Sequence, residues 1–217
     1  MTYQEHQRWP KHEEFIDILN DLKFGTPYLF EIAQLMFEDT VDPDAYHKES
    51  ANPDEIAQCN MAFSEWTVFD FNLGNGMTPL KRIVLRDPSL KEFSETQFYS
   101  TFWVISQNPE TRTSVLRDTR THEDFVVHDE HLAKNTRWAV GRLGTRIARV
   151  DGEWRFAGQV HLHDNAPSEP LPHDGYMAGS GIQDPLAFIT HLEKVIGHEG
   201  VYHQTVERFI YEDSESF

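Results

Sequence analysis

From Phe98 to His163 the chain carries closely spaced β-signals, and this run limits the fold more than any other feature. Aromatic and β-branched residues crowd Phe98 to Ser106, and Gln107-Asn108-Pro109-Glu110 has turn chemistry. Further strands are expected at Thr113 to Leu116, Phe125 to His128, Arg137 to Val140, Ile147 to Val150 and Trp154 to Val160. Asp151-Gly152 joins the last two as a tight hairpin, because both positions tolerate positive φ. Gly141 and Gly144 interrupt the pattern where a bulge would bend the ribbon. Short strands with such kinks give a small, strongly curved antiparallel sheet or half-open barrel.

The flanks read as helices. Phe15, Ile18, Leu19 and Leu22 recur at three-and-four spacing. Thr26-Pro27 opens a second helix with the apolar positions Leu29, Ile32, Ala33, Leu35, Met36 and Phe37. Asn52-Pro53 opens a third, whose apolar surface from Ile56 to Phe71 is too wide for a solvent-bathed helix and belongs at the centre of a helical layer. Asn72 to Gly76 stops it, Thr78-Pro79 starts another, and a further helical turn follows Ser89. After Gly181, Asp184-Pro185 begins a helix to Ile196, and a second amphipathic piece runs from about Val201 to Ile210. The expected class is therefore α+β: a helical region over 1–97, a small antiparallel sheet or barrel over 98–164, and a loop with C-terminal helices over 165–217, packed as one globular unit.

Charge divides along the same lines. Nineteen basic and 36 acidic residues give a net charge of −17, which argues against broad binding to nucleic acid or anionic lipid. Nine of the basic residues lie between Thr111 and Arg155, so the sheet is near neutral and the helices hold the negative charge. The amino terminus is polar rather than signal-like, and no apolar run is long enough for a membrane span, so a soluble cytoplasmic protein is expected. The single cysteine, Cys59, excludes an internal disulfide and a thiolate zinc cage.

Trp66-Thr67-Val68-Phe69-Asp70 with Gly76-Met77-Thr78-Pro79-Leu80, then Phe98-Tyr99, Leu116-Arg117-Asp118, Val126-Val127-His128-Asp129 and the stretch from Ala148 to Gly158, resemble a group of bacterial proteins that often end in a SEC-C zinc motif. The resemblance spans Ile56 to Gly158. It implies the architecture and a bacterial cytosolic origin, and supplies no activity. With one cysteine, zinc binding of that type is not carried over.

Candidate chemistry is sparse. His161, His163 and Asp164 could present two imidazoles on one strand face with a carboxylate nearby, the start of a divalent metal site for a metal-assisted hydrolase. No other cofactor is expected. Gly74-Asn75-Gly76 follows a helix and is a helix stop, not a dinucleotide loop. His122, His128 and His131 lie among carboxylates at a hairpin rim. Arg137, Arg142, Arg146 and Arg149 could line a surface for a partner or a single strand of nucleic acid, or could pair with the acidic helices of the same chain. The leading expectation is a non-catalytic module that recognises another protein at the boundary between acidic helices and the more basic sheet. The alternatives are the hydrolase, a nucleic-acid-binding barrel, and an acidic mimic of nucleic acid.

Overall fold

The computed structural model describes residues 6–38, 53–134, 141–162 and 202–204. Its helical half contains α1 (His12–Asn20), a π-helical turn (Asp21–Gly25), α2 (Pro27–Glu38), α3 (Pro53–Phe69), α4 (Pro79–Val84), a 3-10 turn (Pro88–Leu90) and α5 (Lys91–Thr96). Its β half contains β1 (Phe98–Asn108), β2 (Thr113–Asp118), β3 (Asp124–His128), the short α6 (Glu130–Lys134), β4 (Arg142–Val150) and β5 (Glu153–Leu162). A three-residue strand, β6 (Tyr202–Gln204), adds to β5.

Local chemistry explains the breaks between helices. Pro27 opens α2 as expected, but the Thr26 hydroxyl donates backwards to the Leu22 carbonyl at 3.2 Å and closes the π turn instead of capping the next helix. Asn72 Oδ1 accepts from the amides of Gly74 and Gly76, and Gly74, Asn75 and Gly76 all adopt positive φ, so the chain reverses between α3 and α4. Thr78 caps α4 by accepting from the Lys81 amide, with Pro79 in the first turn.

The strands close. Antiparallel ladders give the order β3-β2-β1-β4-β5, and a parallel pairing of β3 with β5 at Val127 and Trp154 seals a five-stranded barrel. The sheet is thus closed rather than half-open, which removes the free edges of a small sheet. Asp151 (φ 52°) and Gly152 (φ 82°) make the expected hairpin between β4 and β5. Gly144 lies inside β4, paired across to Thr101, rather than ending a strand. The expected strand at Arg137 to Val140 lies outside the described residues, as do the loop after Asn165 and the helix from Asp184. Within the piece expected from Val201, residues Tyr202–Gln204 are strand, because they pair with β5.

Alternation along the strands builds two cores. Inward residues Phe98, Phe102, Val104, Leu116, Val127, Leu143, Ile147 and Phe156 fill the barrel, which α6 plugs with Leu132. On its outer side, Ala148, Val150 and Ala157 pack against Phe15, Ile18, Val68, Phe69, Leu80 and Phe93 of the helices. α3 holds the centre of the helical layer, with Ala62 and Trp66 fully buried beside Ala33, Phe37 and Tyr99.

Two bulges shape the wall. One leaves Ile105 of β1 without an opposite residue on β2. In the other, the register passes from Thr145↔Val160 to Ile147↔Phe156, so Ala157, Gly158 and Gln159 of β5 face Arg146 alone. Gly158 is there for space: a Cβ would meet the Glu65 carboxylate, with Cδ at 2.6 Å and Oε2 at 2.7 Å. Glu65 is itself held by Arg146 and has little freedom to retreat. Gly158→Ala is expected to lower unfolding stability by about 1–3 kcal/mol in urea titration, as overpacking does; an unchanged midpoint would show that α3 does not press on this bulge.

Candidate functional site

Arg146 is wholly buried where α3, α5 and the barrel meet. It lies on β4 opposite Tyr99 of β1, and its guanidinium points outward from the barrel into the helical layer. Every guanidinium nitrogen has a partner: Nε donates to Glu65 Oε1 at 3.0 Å, one terminal nitrogen to Asp70 Oδ2 at 2.5 Å, and the other to Gln97 Oε1. The Phe69 ring lies 4.4 Å from the guanidinium carbon and covers its face. Side-chain exposure is 1% for Arg146, 6% for Glu65 and 5% for Asp70, so the group is shielded from water and from salt.

Two carboxylates around one cation leave this site short of positive charge. Burial pushes the Asp70 carboxyl above its ordinary value, while Arg146, by charge and hydrogen bond, and Lys81, by charge, pull it down. The native state therefore holds a proton on Asp70 more tightly than the unfolded chain does. Its contribution to stability is least unfavourable at low pH and worsens as pH rises towards the elevated native value. Glu14 and Asp87 have the opposite sign. The hydrogen bond from Arg8 holds Glu14 low, and those from Ser89 and then Arg8 hold Asp87 low, so their support is present at neutral pH and lost on acidification.

A second seam runs beside the first. Arg149 Nε donates to Glu92 Oε1 at 3.3 Å, the Asp151 amide donates to Glu92 Oε2 at 2.9 Å, and the Arg149 amide donates to the Thr96 hydroxyl at 2.9 Å. These bonds fasten α5 to the β4–β5 hairpin. At the amino-terminal end Arg8 forms a forked pair with Glu14 and also reaches Asp87.

Of the four arginines singled out from the sequence, the three that are described do not form one exposed surface. Arg137 lies outside the described residues. Arg142 is half-buried at the start of β4, opposite Trp103. Arg146 has no solvent face, and Arg149 leans on Glu92 with Trp154 5.7 Å from its guanidinium. Among the described residues, the charges at the boundary between helices and barrel are thus joined to each other.

The histidines also divide. His122 stacks over Trp103 at 6.1 Å, and His128 reaches Glu153 at 3.5 Å across the barrel seam. His161 lies on β5, with Gly144 of β4 opposite on one side and His203 of β6 on the other. His163 and Asp164 lie outside the described residues. Among the described residues, no group of three or more histidine, cysteine, aspartate or glutamate side chains is placed to hold a metal ion, and no helix is long and apolar enough to cross a membrane.

Sequence spacing did not single out the exposed side of the helical layer. Phe24 is 74% exposed, Tyr28 71% and Leu35 60%. Tyr28 and Leu35 are one heptad apart on α2 and share a stripe with exposed Glu31, while Ala33 and Phe37 on the opposite side are buried. The Lys23 ammonium lies 5.6 Å from the Phe24 ring and 5.9 Å from that of Phe30, which sets Phe24 beside the start of α2. No family model, curated protein or solved structure matches the chain.

Removing the cation at the seam strands two carboxylates. Arg146→Met is expected to cost about 3–5 kcal/mol in unfolding experiments. Asp70→Asn is expected to flatten the decline in stability that wild type shows as pH rises above the ordinary aspartate range. Matching pH profiles for wild type and Asp70→Asn would contradict the assignment.

Proposed function

We propose that this chain is a non-catalytic protein–protein interaction module whose recognition surface is the exposed face of α2 with Phe24. The observation that carries this reading is the row of bulky apolar side chains in water: Phe24, Tyr28 and Leu35 lie along one short stretch whose other side is anchored in the core. A single exposed apolar residue is ordinary, whereas several in line mark an interaction face. Aromatic residues on such a face supply large contact area at low cost in side-chain entropy. The rigid backing matters as well. Ala33 and Phe37 pack on Phe63 and Trp66, so the stripe is held in one orientation before any partner arrives.

This reading moves the recognition face away from the helix–barrel boundary, where Arg146 and Arg149 are engaged within the chain. It keeps the charge segregation in a different role: Arg146 and Arg149 of the sheet pair with Glu65, Asp70 and Glu92 of the helical layer and tie the layers together.

The test compares immobilised wild type with a Tyr28→Ser/Leu35→Ser variant in extract of the source cells, with retained proteins measured by quantitative mass spectrometry. A specific protein retained by wild type should fall by about tenfold or more with the variant, as loss of two anchors implies. Equal retention by both would remove α2 as the recognition surface.

A further inference from the structure

We propose that the α2 stripe receives a basic amphipathic helix of a protein partner, whose Lys or Arg seats on Glu31 between apolar contacts at Tyr28 and Leu35. This rests on the interaction reading above and adds the chemistry of the partner.

Spacing supplies the first argument. Tyr28 and Leu35 stand about 10 Å apart along the helix axis, at 1.5 Å per residue. A second helix laid alongside meets such a stripe with its own apolar residues at heptad spacing. Glu31 is exposed between the two anchors and would face whatever the partner carries there.

Charge supplies the second. Glu31 is an exposed carboxylate on the stripe itself, and the chain as a whole carries 36 acidic residues against 19 basic. Of the acidic residues that precede α2, Glu14 is held by Arg8 and Asp21 reaches Arg86 at 3.8 Å, and the Lys23 ammonium lies over the Phe24 and Phe30 rings. A partner helix whose basic residue meets Glu31 is drawn to the stripe, and one with an acidic residue there is repelled.

The same charges disfavour a second copy of the chain. A two-fold antiparallel pairing of α2 would match Tyr28 with Leu35 but would set Glu31 against Glu31, between molecules that each carry −17. A carboxylate in the centre of the stripe therefore selects for an unlike partner.

The probes are fluorescein-labelled helical peptides of about 18 residues, or five turns. One carries Leu and Phe one heptad apart with Lys between, and its twins carry Glu or Gln at the Lys position. Anisotropy is read near physiological ionic strength against the full chain, Glu31→Lys, and Tyr28→Ser/Leu35→Ser, with sedimentation of each protein alongside. The Lys peptide should bind wild type, weaken about tenfold with Glu31→Lys while the Glu peptide gains, and be lost with the double variant. Because these side chains are exposed, unfolding midpoints should be unchanged.

Equal binding of all three peptides, lost with the double variant, would overturn the basic partner and leave α2 as a docking face. Binding of the Lys peptide that survives the double variant would reduce it to general attraction to an acidic protein and overturn the site. A dimer abolished by the double variant would make the occupant a second copy. Absence of binding by every peptide would overturn the helical partner, while the extract experiment would still report on the face itself.

Discussion

A buried guanidinium that must satisfy two carboxylates fixes how the two halves of this molecule meet. Glu65 and Asp70 lie on or just beyond α3, Gln97 follows α5, and Arg146 belongs to the barrel wall, so all three connections cross from helix to sheet. An apolar interface tolerates sliding, but a forked cation with directional partners does not. The β5 bulge opposite Arg146 and the absence of a side chain at Gly158 are local consequences, since both make room for Glu65. Such a group does not by itself stabilise the fold, because desolvating three charges offsets much of their attraction. Its role is to select one arrangement of layer on barrel.

That arrangement decides which surfaces remain for function. The helical layer covers the outer side of β4 and β5 with Phe15, Val68, Phe69 and Phe93, and the barrel interior is filled by its own side chains. The sheet is therefore engaged inside and, along β4 and β5, outside. α2 packs through Ala33 and Phe37 into the cluster around Trp66 and keeps Tyr28 and Leu35 in solvent. The interaction reading follows from this layering, with the inner side of α2 buried and its outer side apolar and acidic.

Much of the fold was legible in the sequence. Alternation located β1, β2, β3 and β5, and the turn chemistry of Asp151-Gly152 and Thr78-Pro79 placed two boundaries. Closure was not legible, because a parallel pairing between β3 and β5 depends on curvature and leaves no local pattern. The charged seam left a signal that could have been read. Glu65 and Asp70 stand inside the run from Met61 to Phe71, apolar on almost every side, and a carboxylate forced into such surroundings needs a cation. Alternation within β4 runs unbroken and puts Arg142 and Arg146 on the same side as Ala148 and Val150, so spacing alone could not show which of the two supplies it. Several residues of the motifs read in the sequence fall on structural joints: Asp70 at the seam, Asp118 accepting from the Ser100 hydroxyl and the Arg120 and Thr121 amides, and Gly158 under Glu65. Leu35 was counted with the apolar surface of its helix, and periodicity alone could not separate the stripe that faces the core from the one that faces water.

Native-state hydrogen exchange tests the central claim most directly, because it reads the opening of each layer separately. If the buried cation makes helices and barrel one cooperative unit, core amides of α3, β1 and β4 should share a single opening free energy and the same dependence on added urea. Exchange of α3 through a separate, lower-energy opening, with the barrel amides still protected, would contradict the account.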